Sequence, residues 1–181
     1  SQIAHLQQLA SDWQLIADLS FADLAIWVPI KKNSGFIAMS HVRAATAATV
    51  FPKDFEGETR AALPSGESVE SFSIAFNGQE IAQLTRHRNP MVTRSLGRLE
   101  STYQEIAQLL IEMVGEGTFP FSFAISSLNP SPRVGDGFIR LDNSGVITYA
   151  SPNGRSAFSR LGWEGELENI QLVDIANQIS G

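Results

Sequence analysis

The sequence predicts an α+β protein in which two long helices cover one face of an antiparallel sheet, followed by a smaller β-hairpin with a helix. Three observations support this class. Apolar residues recur at steps of three and four in two long segments, four strand-like runs lie between those segments, and a further hairpin pattern follows a proline-rich stretch. With 181 residues, 43% hydrophobic and 18% charged, the chain has the balance of a globular protein.

The two helical segments differ in what their apolar stripes predict. The first twenty residues predict one amphipathic helix, with a stripe of Ile3, Leu6, Ala10, Trp13 and Ala17. The second helix is predicted over 94–114, and its stripe is Leu96, Leu99, Tyr103, Ile106, Leu110 and Met113. These steps alternate as in a coiled coil but extend over only about two and a half heptads. The stripe therefore predicts a face packed on its own domain, a dimer contact that transmits signals, or both together.

Four strands are predicted between the helices, in two hairpins. The clearest turn is Asn77-Gly78, a dipeptide that favours the two-residue turns of hairpins. The strands are predicted at 24–28 with 36–42, and at 69–76 with 80–87. Residues 43–68 between the hairpins show no clear period, which predicts a long loop or a partly helical excursion of the kind that often carries function.

A second domain is predicted after residues 118–135, where Pro120, Pro130 and Pro132 mark a linker. Residues 137–141 and 146–149 have the pattern of a hairpin. A helix should follow, because Ser151 is a suitable N-cap and Pro152 a suitable first residue.

Composition excludes several classes of function. The net charge of −6 argues against nucleic acid as a direct partner, since phosphate binding needs clustered Lys and Arg. The absence of Cys excludes a disulfide framework and a thiolate nucleophile. No apolar run approaches the roughly 20 residues that cross a bilayer, and the first residues do not resemble a signal peptide. We expect a soluble, cytoplasmic chain with no membrane partner.

No catalytic or metal site is predicted from the residues themselves. The segment 40–43 (SHVR) faintly resembles a phospho-acceptor box but lies in a strand pattern, and 135–137 (GDG) is a turn rather than a phosphate cradle. The three histidines lack the spacing of metal ligands. We therefore expect that this chain alone is not an enzyme and holds no cofactor.

Six segments in order along nearly the whole chain resemble one known family. They are WQLIADLSFAD at 13–23, WV at 27–28, LTRH at 84–87, EGTFP at 116–120, SPRVGDGFIRLD at 131–142 and YASPN at 149–153. These segments are similar to the sensory region of PdtaS-type cytosolic sensor histidine kinases of actinobacteria. The resemblance implies a GAF-like sensor domain over 1–117 that includes the linking helix 94–114, a linker over 118–135, and the N-terminal part of a PAS domain over 136–181.

The resemblance also implies a function. This region would sense a signal and hold a homodimer together, and would relay the state of a ligand or partner to a kinase domain that is not in this chain. That domain would use ATP and Mg²⁺ to phosphorylate its own histidine, and would pass the phosphate to a response regulator of the antiterminator type. The alternative within the same family is a structural dimerisation scaffold that binds no ligand.

A GAF-like domain implies a concave pocket between the sheet and residues 43–68, open to a small-molecule ligand. The candidate pocket residues are Trp27, His41, Phe72, Ile74 and Thr85, and for each of them the alternative is core filling. Residues 60–68 form a shorter segment than in the family. The partial PAS hairpin lacks its usual sheet partners, so we expect its apolar side chains to lie on the first domain, on the linking helix or on a neighbouring chain.

Overall fold

The computed structural model describes residues 1–30, 34–91, 97–120 and 132–180. These residues form two compact units, which divide between Pro132 and Arg133. The first unit contains a sheet with helices, and the second a small hairpin with helices, so the predicted α+β class is confirmed. No helix in the described ranges is long and apolar enough to cross a bilayer.

The first unit begins with two helices rather than the single helix predicted. They are α1 (Gln2–Asp12) and α2 (Gln14–Ser20), which meet at Trp13. The hydroxyl of Ser1 accepts a hydrogen bond from the amide of Ala4 and caps α1. Phe21 ends α2 in the left-handed region, with φ of 50°. The apolar stripe of both helices faces inward, because Leu6, Leu9 and Ile16 are buried.

The sheet has five antiparallel strands in the order β3-β2-β1-β5-β4. The strands are β1 (Asp23–Pro29), β2 (Phe36–Val42), β3 (Thr59–Arg60), β4 (Val69–Phe76) and β5 (Gln79–His87). Four of them match the predicted strands. The fifth, β3, consists of two residues, both exposed. A strand this short shows no hydrophobic period, so the sequence could not predict it.

Both faces of this sheet are buried, whereas the sequence predicted cover on one face. Leu24, Ile26, Ile74 and Leu84 pack against the helices, and we call this side the helical face. On the opposite side Ala25, Trp27 and Ala38 pack against Phe51 and Phe55. Those two phenylalanines belong to the segment without a period, so this loop supplies the second layer of the fold. We call this side the loop face.

The linking helix, α3 (Arg98–Glu116), lies on the helical face. Its first turn is closed by Gly97, whose amide donates to Glu100 Oε2 at 2.8 Å. It ends at Gly117, with φ of 74°. A Cβ at Gly117 would lie 2.8 Å from the carbonyl oxygen of Ala75, so this position requires glycine on two grounds.

The second unit is a two-stranded sheet with two helices. After a 3₁₀ turn at Val134–Asp136 come β6 (Ile139–Leu141), β7 (Ile147–Ala150), α4 (Pro152–Arg160) and α5 (Leu172–Ser180). The predicted cap is present, because Ser151 Oγ accepts from the amide of Gly154 at 3.1 Å.

This unit has a small core of its own, formed by Ile147, Ala150, Leu167 and Ile175. Ile147 is fully buried in it, so the expectation that the hairpin depends on another domain or chain is wrong for this residue. The physical reason is that residues 167–175 fold back over β7. Leu141 on β6 stays 41% exposed. The assignment of residues 136–181 to a PAS domain stays a prediction.

Candidate functional site

A cavity of about 420 Å³ lies on the loop face of the first unit. One wall is the sheet and the other is the segment between β2 and β4. The walls are mainly apolar, with Trp27, Val50, Phe51, Phe55 and Val69 among the lining residues. The charged residues of the lining are Lys53, Glu58, Arg60 and Arg88.

The sheet wall contains a hydrogen-bonded row of three side chains. Trp27 Nε1 donates to Thr85 Oγ1 at 2.8 Å, and His87 Nε2 lies 2.8 Å from the same oxygen. Trp27 and Thr85 are both fully buried. Burial lowers the pKa of His87 to about 4; Asp23 opposes this shift and Arg60 adds to it. His87 is therefore neutral at pH 7.

The loop wall is attached to the fold by two buried aspartates. Asp23 Oδ1 accepts from the amide of Ala44 at 3.0 Å, and its Oδ2 accepts from Thr49 Oγ1 at 2.5 Å and from the amide of Val50 at 2.7 Å. Since these bonds end one residue before Phe51, they place an aromatic wall of the cavity.

The second aspartate, Asp18 of α2, connects the same loop to a helix. Its Oδ1 accepts from the amide of Ala45 at 2.8 Å and from Gln14 Nε2 at 2.9 Å. Its backbone carbonyl accepts from Thr46 Oγ1 at 2.6 Å. The loop that forms the cavity wall is thus bonded directly to α2.

A cluster of His41, Arg43 and Asp54 joins β2 to the loop. The ring of His41 stacks on Phe55 with centroids 4.7 Å apart, and its Nε2 lies 3.1 Å from Asp54 Oδ1. Arg43 Nη2 donates to the same oxygen at 2.9 Å. Arg43, with a smaller contribution from His41, holds the pKa of the Asp54 carboxyl below its usual value. These contacts tie β2 to the loop.

Arg60 is the cation placed most directly over the aromatic wall. Its guanidinium carbon is 5.2 Å from the ring of Trp27 and 5.9 Å from that of Phe55. Of the other cations, Lys53 is paired with Glu58 at 3.3 Å and Arg88 with Glu70 at 3.1 Å. Arg60 is 4.0 Å from Glu58, so its charge is the least neutralised of the three.

The structure brings three of the five predicted pocket residues to this side of the sheet. Trp27 lines the cavity, Thr85 accepts a hydrogen bond from Trp27, and His41 stacks on Phe55. The prediction is wrong for Phe72 and Ile74, which pack on the helical face. The reason is the register: Phe72 pairs with Leu84 and Ile74 with Ala82, and paired residues point to the same side of a sheet.

Several lining residues were missed by sequence reasoning. Phe51, Phe55 and Arg60 lie in or beside the loop without a period, where no pattern assigns a direction to a side chain. A signal did exist for His87, because it is two residues after Thr85 in a strand and therefore shares its face.

The predicted relay stripe on α3 is only partly exposed. Leu96 lies outside the described residues. Ile106 is buried, and Leu110 and Met113 pack against the core of the helical face. The ring of Tyr103 stacks near Phe21 at 6.4 Å. Leu99 is 46% exposed. Leu109, which is not in the stripe, is 45% exposed.

Comparison with known proteins agrees with this architecture. Residues 1–68 match the family model described as the GAF domain of histidine kinase PdtaS. The chain is also similar to a solved structure, the sensor region of a sensor histidine kinase, with a TM-score of 0.84 and 37% identity over 98% of this chain and 70% of that one.

Two curated relatives extend the similarity. The sensor histidine kinase PdtaS of Mycobacterium tuberculosis (strain H37Rv) is 37% identical over 203 aligned positions, which cover 96% of this chain and 40% of that protein. The PdtaS of Mycolicibacterium smegmatis is 35% identical over 208 positions, which cover 99% and 41%. Both alignments are longer than the 181 residues of the chain, so each relative carries residues that this chain lacks.

The fold and these matches define the sensory region of a histidine kinase, with a GAF-like sheet. The chain belongs to the PdtaS family of sensor histidine kinases. It spans about two fifths of the length of the curated relatives it matches.

Proposed function

We propose that the first unit senses a small molecule and relays its presence to the rest of a cytoplasmic two-component histidine kinase. The observation that carries this proposal is the cavity on the loop face. Its volume of about 420 Å³ is within the range of ligand sites, about 300–1,000 Å³, and its apolar walls with few polar groups have the usual character of such sites.

The lining favours a ligand with a flat apolar part and a negatively charged group. Trp27 and Phe55 offer stacked rings 5.7 Å apart, and Arg60 places a positive charge over both. An arginine in that position pairs well with a carboxylate or a phosphate. Arg60 would leave the ring face as the ligand enters.

The relay we propose runs from the loop wall to the helices. Asp18 and Asp23 bond the loop to α2 and to the start of β1. A ligand that shifts Phe51 or Phe55 would therefore pull on α2, and α2 packs against α3. In a parallel homodimer, α1, α2 and α3 would pass this shift towards the second unit.

The names of the relatives, which are sensor histidine kinases, support a wider role. We propose that the parent protein phosphorylates its own histidine with ATP and Mg²⁺ and transfers the phosphate to an antiterminator-type response regulator. This chain would contribute no catalytic residue. Nucleic acid would enter only downstream of the regulator.

A structural scaffold that binds no ligand is the second candidate. Leu99 and Leu109 favour it, because both are large apolar residues about half exposed on α3 and suit a contact between two chains. The cavity supports sensing over the scaffold, since a scaffold has no need of a cavity.

A thermal-shift screen tests the sensing function. The panel contains cyclic nucleotides, haem and common metabolites, and a ligand at 100 times its Kd stabilises the folded state by about 2.7 kcal/mol. We expect Arg60→Met to weaken binding of an anionic hit about tenfold or more, because one charge-assisted contact is lost.

The matched control is Arg98→Met, which removes the same charge from an exposed position on α3. It should leave the affinity unchanged. A screen in which no compound raises the Tm would favour the scaffold, and equal effects of both substitutions would remove Arg60 from the site.

A further inference from the structure

The row formed by Trp27, Thr85 and His87 fixes where the protons lie. An indole Nε1 is only a donor, so Trp27 donates to Thr85 Oγ1 at 2.8 Å. The hydroxyl hydrogen of Thr85 still needs an acceptor, and His87 Nε2 is 2.8 Å from the hydroxyl oxygen. Thr85 is fully buried, and among the described residues its hydroxyl has no hydrogen-bond partner other than Trp27 and His87.

Two arrangements of that hydrogen are possible, and their costs differ. If His87 Nε2 carried a proton and donated, the Thr85 hydroxyl would be left as a buried donor without an acceptor. An unsatisfied buried donor costs about 1–3 kcal/mol. If Thr85 donates to Nε2 instead, Trp27 Nε1, the Thr85 hydroxyl and His87 Nε2 are all paired. The imidazole is then neutral, and its proton is on Nδ1.

The ring of His87 is also held in place. The ring of Phe51 lies edge-on to it, with centroids 4.9 Å apart and planes 66° apart. Within the described part of the chain, Nδ1 has no hydrogen-bond partner, and His87 as a whole is half-buried. His87 itself lines the cavity.

From this geometry we infer that His87 is the fixed hydrogen-bond donor of the cavity, offering Nδ1–H to an acceptor oxygen of the ligand. The inference rests on the proposed sensing function and narrows it. The ligand class is a flat ring that carries a carboxylate, phosphate or carbonyl oxygen, and a ring that carries only donors is rejected. Burial lowers the pKa of His87 to about 4, so the donor stays neutral from pH 5 to 8.

The proton position can be measured without any ligand. Long-range ¹H–¹⁵N spectra distinguish protonated from unprotonated ring nitrogens, and the chain has only three histidines. We expect His87 to show a protonated Nδ1 and an unprotonated Nε2 from pH 5.5 to 8. Thr85→Val should abolish this preference. A wild-type spectrum with the proton on Nε2 would overturn the inference whatever binds in the cavity.

Recognition can be measured with two fragments that share a ring. Benzoate offers acceptor oxygens, whereas benzylamine offers only donors. We expect millimolar benzoate to shift the His87 Nδ1–H and Trp27 indole signals, and benzylamine to leave them unchanged. His87→Asn keeps an N–H donor near the position of Nδ1 and should keep the response of the Trp27 indole signal, whereas His87→Phe should lose it.

These outcomes separate the inference from the function on which it rests. If the proton is on Nδ1 but both fragments, or neither, perturb the two signals, the donor role of His87 is overturned while a hit in the wider screen still supports sensing. If no compound of that screen binds, the sensing function itself fails.

Discussion

At the scale of residues, one strand shows how a short pattern decides a site. Thr85 and His87 in β5 lie on the loop face, while Leu84 and Arg86 lie on the helical face. The alternation could be predicted from the sequence. The partner of each residue could not, because the register of β4 against β5 is shifted between Ile74 and Ala75. For that reason the sequence predicts the cavity side for Phe72 and Ile74, whereas both lie on the helical face.

A titration prediction belongs to His87. Its pKa is about 4 in the folded protein and about 6.5 in an unfolded chain. Because the folded pKa is the lower one, the unfolded state binds more protons, and the free energy of unfolding should fall as the pH drops from about 6.5 to about 4. We expect His87→Asn, which does not titrate, to make this fall shallower.

Urea unfolding at several pH values measures the effect. Burial also lowers the pKa of His5, which adds a slope of the same sign. The difference between wild type and His87→Asn isolates His87, and His5→Asn is the matched control. Identical slopes in wild type and His87→Asn would contradict the shifted pKa.

At the scale of elements, the loop between β2 and β4 determines what the sheet can do. It has no period from which a fold could be predicted, yet it supplies Phe51 and Phe55 to the loop face. Its position depends on single polar side chains rather than on secondary structure. Asp23 alone accepts from three donors of this loop.

Asp23→Asn should loosen this element. An amide can accept on one atom only, so its NH₂ group would face donors of the loop and leave them unpaired. Hydrogen bonds to a charged group are worth about 1.5–3 kcal/mol each, and we expect a loss of about 2–4 kcal/mol in the free energy of unfolding. Urea unfolding measures it.

Hydrogen exchange locates the same effect. Faster exchange is expected at the amides of Ala44 and Val50, which donate to Asp23. Glu105→Gln, on the exposed side of α3, is the control and should change neither stability nor exchange. Unchanged protection of Ala44 and Val50 in Asp23→Asn would show that the carboxylate does not hold the loop.

At the scale of the whole molecule, α3 packs mainly within the first unit, which limits how much of it can take part in a relay. In the predicted stripe, Ile106 is buried, and Leu110 and Met113 pack against the core of the helical face. The heptad-like spacing therefore reflects packing on the sheet for much of its length. Among the described residues of α3, Leu99 and Leu109 are the large apolar side chains that stay exposed to a second chain.

A dimer through that side is testable by mass in solution. We expect sedimentation or light scattering to give twice the chain mass of 19.7 kDa. Leu109→Asp should shift the population to monomer, because a charge would be buried in an apolar contact. Met91→Asp, at a position 86% exposed, should not. A strict monomer at high concentration would remove the dimer route for this chain.

Local patterns in the sequence were enough to predict the α+β class, the two hairpins of the first unit and the linking helix, and they carry the resemblance to the PdtaS family. These depend on local periods and on ordered segments, which a chain carries without its fold. The folded structure alone shows that the segment 43–68 forms a second layer. It also decided that Phe72 and Ile74 turn away from the cavity and that Arg60 lies over Trp27. The physical reason is that each of these depends on register or on a few long-range hydrogen bonds, and neither leaves a period in the sequence.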